Sequence, residues 1–103
     1  MTSKPKSKPK KKVIFLCRLY VAGEAENSAL ALANLTAFCL AHLGDSHKIE
    51  VVDVFRNPKK ALAEGILMTP TLIKYSPLPV RRSVGNLSQN LNVVFGLKPN
   101  SFS

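Results

Sequence analysis

The chain has 103 residues, 46% hydrophobic and 20% charged, which is enough for one ordinary globular domain and not for two. Fifteen Lys and Arg oppose six Asp and Glu for a net charge of +9, but six of the lysines lie in the first twelve residues, leaving only +3 for residues 13–103. No apolar run reaches the ~18 residues of a membrane span or forms a signal-peptide core, and two cysteines 22 positions apart make no disulfide framework, so the expected setting is the cytoplasm.

Residues 1–12, MTSKPKSKPKKK, carry like charges and nothing to bury beyond Met1, so they are expected to be a disordered tail. The domain is expected to run from Val13 to Lys98, with residues 99–103 as a loose end. Val13–Val21 (VIFLCRLYV) reads as a buried strand ending at Ala22-Gly23. Asn27-Ser28 offers a cap for a helix reaching Leu43, before Gly44. Leu32, Leu35, Phe38, Cys39 and His42 share one face of that helix, while the other faces are also mostly Ala and Leu. A helix apolar nearly all round points to burial on more than one side, hence to a dimer or tetramer.

Lys48–Phe55 is a second strand, parallel to the first across a right-handed helical crossover. Asn57 caps and Pro58 opens a helix over Lys59–Ile66, which the Met68-Thr69-Pro70-Thr71 segment breaks. Thr71–Tyr75 and Val80–Val84 follow as an antiparallel pair of strands, and a last helix runs from a Ser88 cap to near Gly96. Leu87, Leu91, Val94 and Phe95 line its inner side. The order βαβαββα gives an α/β domain with a four-stranded mixed sheet and helices on both faces, a thioredoxin-like arrangement.

That arrangement prompts a search for thiol chemistry, which needs a low-pKa Cys at a helix N-terminus. The turn Gly23-Glu24-Ala25-Glu26-Asn27-Ser28 contains no Cys, and Cys17 and Cys39 fall inside the strand and the helix, where buried inert thiols are common. Thr69-Pro70-Thr71 resembles the cis-proline site of thioredoxin folds, so a cis bond is expected at Pro70. His42, Asp45 and His47 flank one helix end, a weak metal set better read as a solvated terminus. Ser28 lacks a base, and Gly23, Gly44, Gly65, Gly85 and Gly96 are scattered rather than gathered in a phosphate loop. No catalytic residue, metal or cofactor is expected. Lys74, Arg81 and Arg82 form the one basic cluster outside the tail. It is either a ridge for an acidic protein surface or phosphate, or a pair of solvated sheet edges. Alternation along the strand points Arg81 and Arg82 to opposite faces. With no Trp and only five Phe and two Tyr, a specific nucleic-acid surface is not expected.

Several motifs fall together in one register: Leu19-Tyr20-Val21-Ala22-Gly23, Asn27-Ser28, Val52-Asp53-Val54, Asn57-Pro58, Thr69-Pro70-Thr71-Leu72, Pro79-Val80-Arg81-Arg82 and Gly85 with Leu87-Ser88. With them, the chain from Val13 to Leu97 resembles the KaiB family. The resemblance implies a non-enzymatic regulator that binds the ring ATPase KaiC, with KaiA or a histidine kinase as further partners in full clocks. It also implies two packings of the C-terminal half: the thioredoxin-like one, and a βαββααβ one that assembles as dimers and tetramers. It assigns Lys74, Arg81 and Arg82 to partner or subunit contact, and Pro70, Gly85, Gly96 and Lys98 to the segment that rearranges. The chain departs from the family pattern at Glu24-Ala25-Glu26, at Leu30 and Ala33 where basic residues are usual, at Asn86 and at Lys98. These departures favour a divergent member acting with a KaiC-like ATPase in stress or environmental signalling. The two other readings are a thiol oxidoreductase and an isolated thioredoxin-like sensor module of a histidine kinase.

Overall fold

A computed structural model describes residues 13–97, and Lys98 falls outside them. The elements are β1 (Phe15–Val21), α1 (Glu26–Leu43), β2 (His47–Asp53), α2 (Pro58–Ala63), β3 (Thr71–Ser76), β4 (Arg81–Val84) and α3 (Leu91–Val94). The expected order and the four-stranded mixed sheet are both present. The strands lie in the order β2-β1-β3-β4, with β2 parallel to β1 and the β1–β3 and β3–β4 pairs antiparallel.

The boundaries differ from expectation for local reasons. β1 begins at Phe15, not Val13, because its first partner in β2 is His47. α1 begins at Glu26 with Ala25 in the N-cap position, ahead of the expected Asn27-Ser28 cap. Ser28 is instead a buried helical residue whose Oγ accepts the Ala22 N–H at 3.1 Å. β2 ends at Asp53, two residues early. The Asp53 carboxylate accepts the Phe55 N–H at 2.9 Å, and its carbonyl accepts the N–H groups of Arg56 and Asn57, an Asx-type turn.

α2 starts at Pro58, whose missing N–H has no helical partner to lose there. It stops at Ala63 because Gly65 enters the left-handed region (φ +68°) and the Ile66 N–H turns back to the Ala61 carbonyl. α3 is a single turn with Asn90 in the N-cap position and no side-chain cap, not a helix from Ser88. Asn86 takes the Ser88 N–H at 3.0 Å, and Leu87 is held at φ +69° between them.

Alternation along the strands separates two cores. Cys17, Leu19, Val21 and Leu72 face α1 and α3, packing with Ala31, Leu35, Cys39, Leu91, Val94 and Phe95. Phe95 closes that layer against Phe15 and Phe38 at centroid distances of 5.5 and 5.3 Å. Tyr20, Val52 and Ile73 face the other way, against Ala61 of α2. Among the described residues nothing covers the outer face of α1, and Leu30 and Leu40 are exposed there. His42, placed by periodicity on the inner face, is exposed at the helix end with its ring against Phe38.

Candidate partner-binding site

The turn after β1 occupies the position where thiol chemistry would sit in this arrangement, and it holds Gly23, Glu24 and Ala25. The two thiols lie instead in the aliphatic core under α1. Burial, with Cys39 adding to it, pushes the Cys17 thiol up to about 12, and burial pushes Cys39 up to about 11. A neutral thiol packed among leucines is neither a nucleophile nor a resolving partner at neutral pH. Among the described residues no three His, Cys, Asp or Glu side chains converge into a metal-holding group.

The basic cluster divides across the sheet. Lys74 and Arg81 are cross-strand partners on the α1 face, whereas Arg82 pairs with Ile73 on the α2 face, so the two arginines point oppositely as alternation requires. Lys74 does not belong to an exposed ridge. It is only 3% exposed and donates from Nζ to the Pro77 carbonyl at 2.6 Å. Burial, reinforced by the Arg81 charge, lowers its pKa. Its position in the strand gave no sign of this, because the Pro77 carbonyl that holds it lies in the following turn. Arg81 and Arg82 are both exposed, and Arg82 reaches the Glu64 carbonyl at the end of α2 with Nη2 at 2.7 Å.

The residues expected to rearrange are partly brought together. The Thr69–Pro70 bond is cis, as are Ser76–Pro77 and Leu78–Pro79. The Gly85 N–H donates to the Pro70 carbonyl at 2.9 Å, tying the end of β4 to the loop before β3. Gly85 and Gly96 both adopt positive φ, +111° and +71°, but Gly96 sits apart at the end of α3.

Two features escaped the sequence reading. The first is a polar network on the α2 face. Arg18 donates to Glu50 at 2.8 Å and to Glu64 at 3.1 Å, Lys60 donates to Glu50 at 3.2 Å, and the hydroxyls of Tyr20 and Tyr75 both donate to Glu64. Burial alone would raise the Glu64 carboxyl, but the two tyrosine hydrogen bonds and the Arg18 charge outweigh it and hold the group below its usual range. Hydrogen bonds from Arg18 and then Lys60 lower Glu50 as well. The available signal was Arg18 itself, a charge inside an otherwise apolar strand.

The second feature is a shallow concavity where three loops meet, lined by Ala22, Val54, Phe55, Ile66, Leu67 and Met68 with Thr69. Phe55, Leu67 and Met68 are 74%, 91% and 63% exposed, an unusual apolar display for one small surface. Gly23 adopts the left-handed φ of +56° in the turn beside this surface, and the Phe55 ring lies in ordinary contact distance of it. The signal here was the run Ile66-Leu67-Met68, which follows a helix-ending glycine and has no strand to join.

Fold and site together define a class: a thioredoxin-like domain with its thiols in the core and an apolar and basic surface in place of a redox centre. The KaiB domain model matches residues 18–99, and the chain belongs to the KaiB family. It is 41% identical over 80 residues to the circadian clock protein KaiB3 of Synechocystis, covering 78% of each chain. It is 42% identical over 83 residues to the circadian clock oscillator protein KaiB of Synechococcus elongatus, covering 81% of each. Among solved structures, the N-terminal domain of Synechococcus elongatus SasA shares the fold with a TM-score of 0.70 at 17% identity, over 97% of this chain and 100% of that one. Chloroplastic thioredoxin z follows at 0.68 and 21% identity, over 82% and 79%. At these identities the structural likeness concerns the fold alone. No described helix is long and apolar enough to cross a membrane.

Proposed function

We propose that the chain is a non-enzymatic regulatory module that docks on a KaiC-type ATPase. The observation that carries the reading is the family match over residues 18–99. Two features of the molecule support it. Both thiols are withdrawn into the core, and the loops at the strand ends display apolar side chains that a partner would cover. Arg81 and Arg82 supply the electrostatic part of the surface, from opposite faces of the edge strand β4; Lys74 supports the strand from within. The Gly85–Pro70 contact lies in the segment whose repacking would gate binding. Two packings of one sequence coexist only when they differ by a few kcal/mol, and a partner that prefers one draws the population toward it by its differential affinity.

The test is a pull-down of a KaiC-type ATPase after long incubation in its ATP- and ADP-bound states. Binding in one state, weakened by Arg81→Glu and by Phe55→Ala, is the expected result. Absence of binding in both states ends the proposal. The reading as a thiol oxidoreductase predicts insulin reduction that is lost on Cys17→Ser or Cys39→Ser; no thiol-dependent turnover is expected.

A further inference from the structure

Sulfur is unevenly placed in this molecule. The described residues hold three sulfur atoms, in Cys17, Cys39 and Met68, and the chain's other methionine is Met1. The two thiols are 4% and 0% exposed, and burial keeps both protonated. A peroxide attacks a thiolate, and a protonated thiol inside a packed core offers it neither charge nor access. Met68 is the opposite case. A thioether needs no deprotonation to react, and this one stands open to solvent in the loop before β3.

Two hydrogen bonds bracket that loop and hold the side chain out. The Ile66 N–H donates to the Ala61 carbonyl at 2.9 Å, and the hydroxyl of buried Thr71 donates to the Met68 carbonyl at 2.6 Å. Met68 thus stays on the apolar concavity, with Phe55 and Leu67 beside it. Thr69 brings the one polar side chain among the lining residues, and none of them is charged. Ala22 lines the same concavity, so the exposed sulfur borders the turn where thiol chemistry would sit in this fold.

We propose that Met68 is a peroxide-sensitive modification site that controls docking at this surface. The oxidant is hydrogen peroxide or an organic hydroperoxide. A sulfur lone pair attacks one peroxide oxygen, and the S–O bond forms as the O–O bond breaks. Sulfur gives up two electrons, and the departing oxygen takes the proton and leaves as water or an alcohol. The product is a sulfoxide, whose strongly polar oxygen accepts hydrogen bonds from water while the surface is free. Under an apolar partner surface it loses that water, with at most the Thr69 hydroxyl to replace it. The cost therefore falls on the docked state and not on the fold. A methionine sulfoxide reductase reverses the change. The control of docking rests on the reading given under the previous heading, whereas the site of oxidation does not.

The test treats the full chain with increasing hydrogen peroxide and removes the oxidant by gel filtration before any ATPase is added. Tryptic peptide 61–74, which contains Met68, should gain about 16 Da while the peptides carrying Cys17 and Cys39 stay reduced. Far-UV circular dichroism should not change. Affinity for a KaiC-type ATPase should fall about tenfold or more, and a methionine sulfoxide reductase should restore both mass and binding. Met68→Leu, each sample compared only with its own untreated control, should lose nothing on the same treatment. Oxidation of a cysteine ahead of Met68 overturns the site. A fully sulfoxidised chain that binds as well as before overturns the control of docking, as does a Met68→Leu chain that loses binding like wild type. An untreated chain that binds no ATPase overturns the docking reading and the control with it; the mass shift still decides the site.

Discussion

On the side of the sheet covered by α1 and α3, the clustered core is aliphatic, aromatic and thiol, with the Lys74 ammonium and the Ser28 hydroxyl buried beside it. On the side covered by α2, a thin apolar layer of Tyr20, Val52, Ala61 and Ile73 gives way to the Arg18–Glu50–Glu64 network with two phenols. The first side has no carboxylate in its core cluster and tolerates little change in volume. The second is held by groups with titratable charge and directional bonds, and its helix is only six residues long. The difference teaches where each half of the fold gets its stability. The N-terminal βαβ unit is anchored by packing around α1. α2 is set against the sheet by Ala61, by the Lys60–Glu50 pair and, just past its end, by the Glu64 carboxylate.

The sharpest way to test that division is to remove matter from the dry side. Leu35→Ala, at a fully buried position, is expected to lower unfolding free energy in urea by about 2–5 kcal/mol. A loss below about 1 kcal/mol would show that the α1 layer is not tightly packed. Glu64→Ala on the polar side should cost less, about 1–3 kcal/mol, because it strands two tyrosine hydroxyls and an arginine. Glu64→Gln, which keeps an acceptor, should fall between that variant and wild type.

Acid should then separate the two sides. The folded pKa values of Glu64 and Glu50 lie below their ordinary 4.5, so both groups add stability above that value and lose it as pH falls through the lowered ones. Acid titration of stability should be steep for wild type below about pH 4.5 and shallower for Glu64→Gln. Parallel curves would remove Glu64 from the acid response. Thiol labelling probes the dry side from the opposite direction. Cys17 and Cys39 should resist iodoacetamide at neutral pH in the native protein and react at the rate of unfolding; rapid native labelling of either would contradict its burial. The smallest effect belongs to Arg82→Ala. It removes one exposed hydrogen bond to the end of α2 and should cost at most about 1 kcal/mol by urea unfolding.

The fold was largely legible because its signals are local. Apolar runs of strand length, Pro58 opening a helix and Pro70 standing between elements gave the order of the elements and the antiparallel β3–β4 pair. Element ends were less legible where a side chain made an unforeseen bond. Ser28 serves Ala22 instead of capping α1, and Asp53 closes β2 early. Long-range partners were not legible at all. Nothing near Glu64 in sequence points to Tyr20, 44 positions away, and the burial of Lys74 depends on the path of the Pro77 turn. The absence of a cysteine from the turn after β1 was readable at once. The exposed loop surface of Phe55, Leu67 and Met68 became visible only when three separate loops were seen to converge.

Leu87 carries a last consequence. A side chain with a β-carbon resists the left-handed backbone by about 1–2 kcal/mol, yet this leucine holds it, pinned by its own burial and by Asn34, which grips the neighbouring Asn86 carbonyl at 2.7 Å. The stretch between β4 and α3 is thus a cocked spring with α1 as its catch. Any second folding pattern that frees this one residue starts with that tension in its favour.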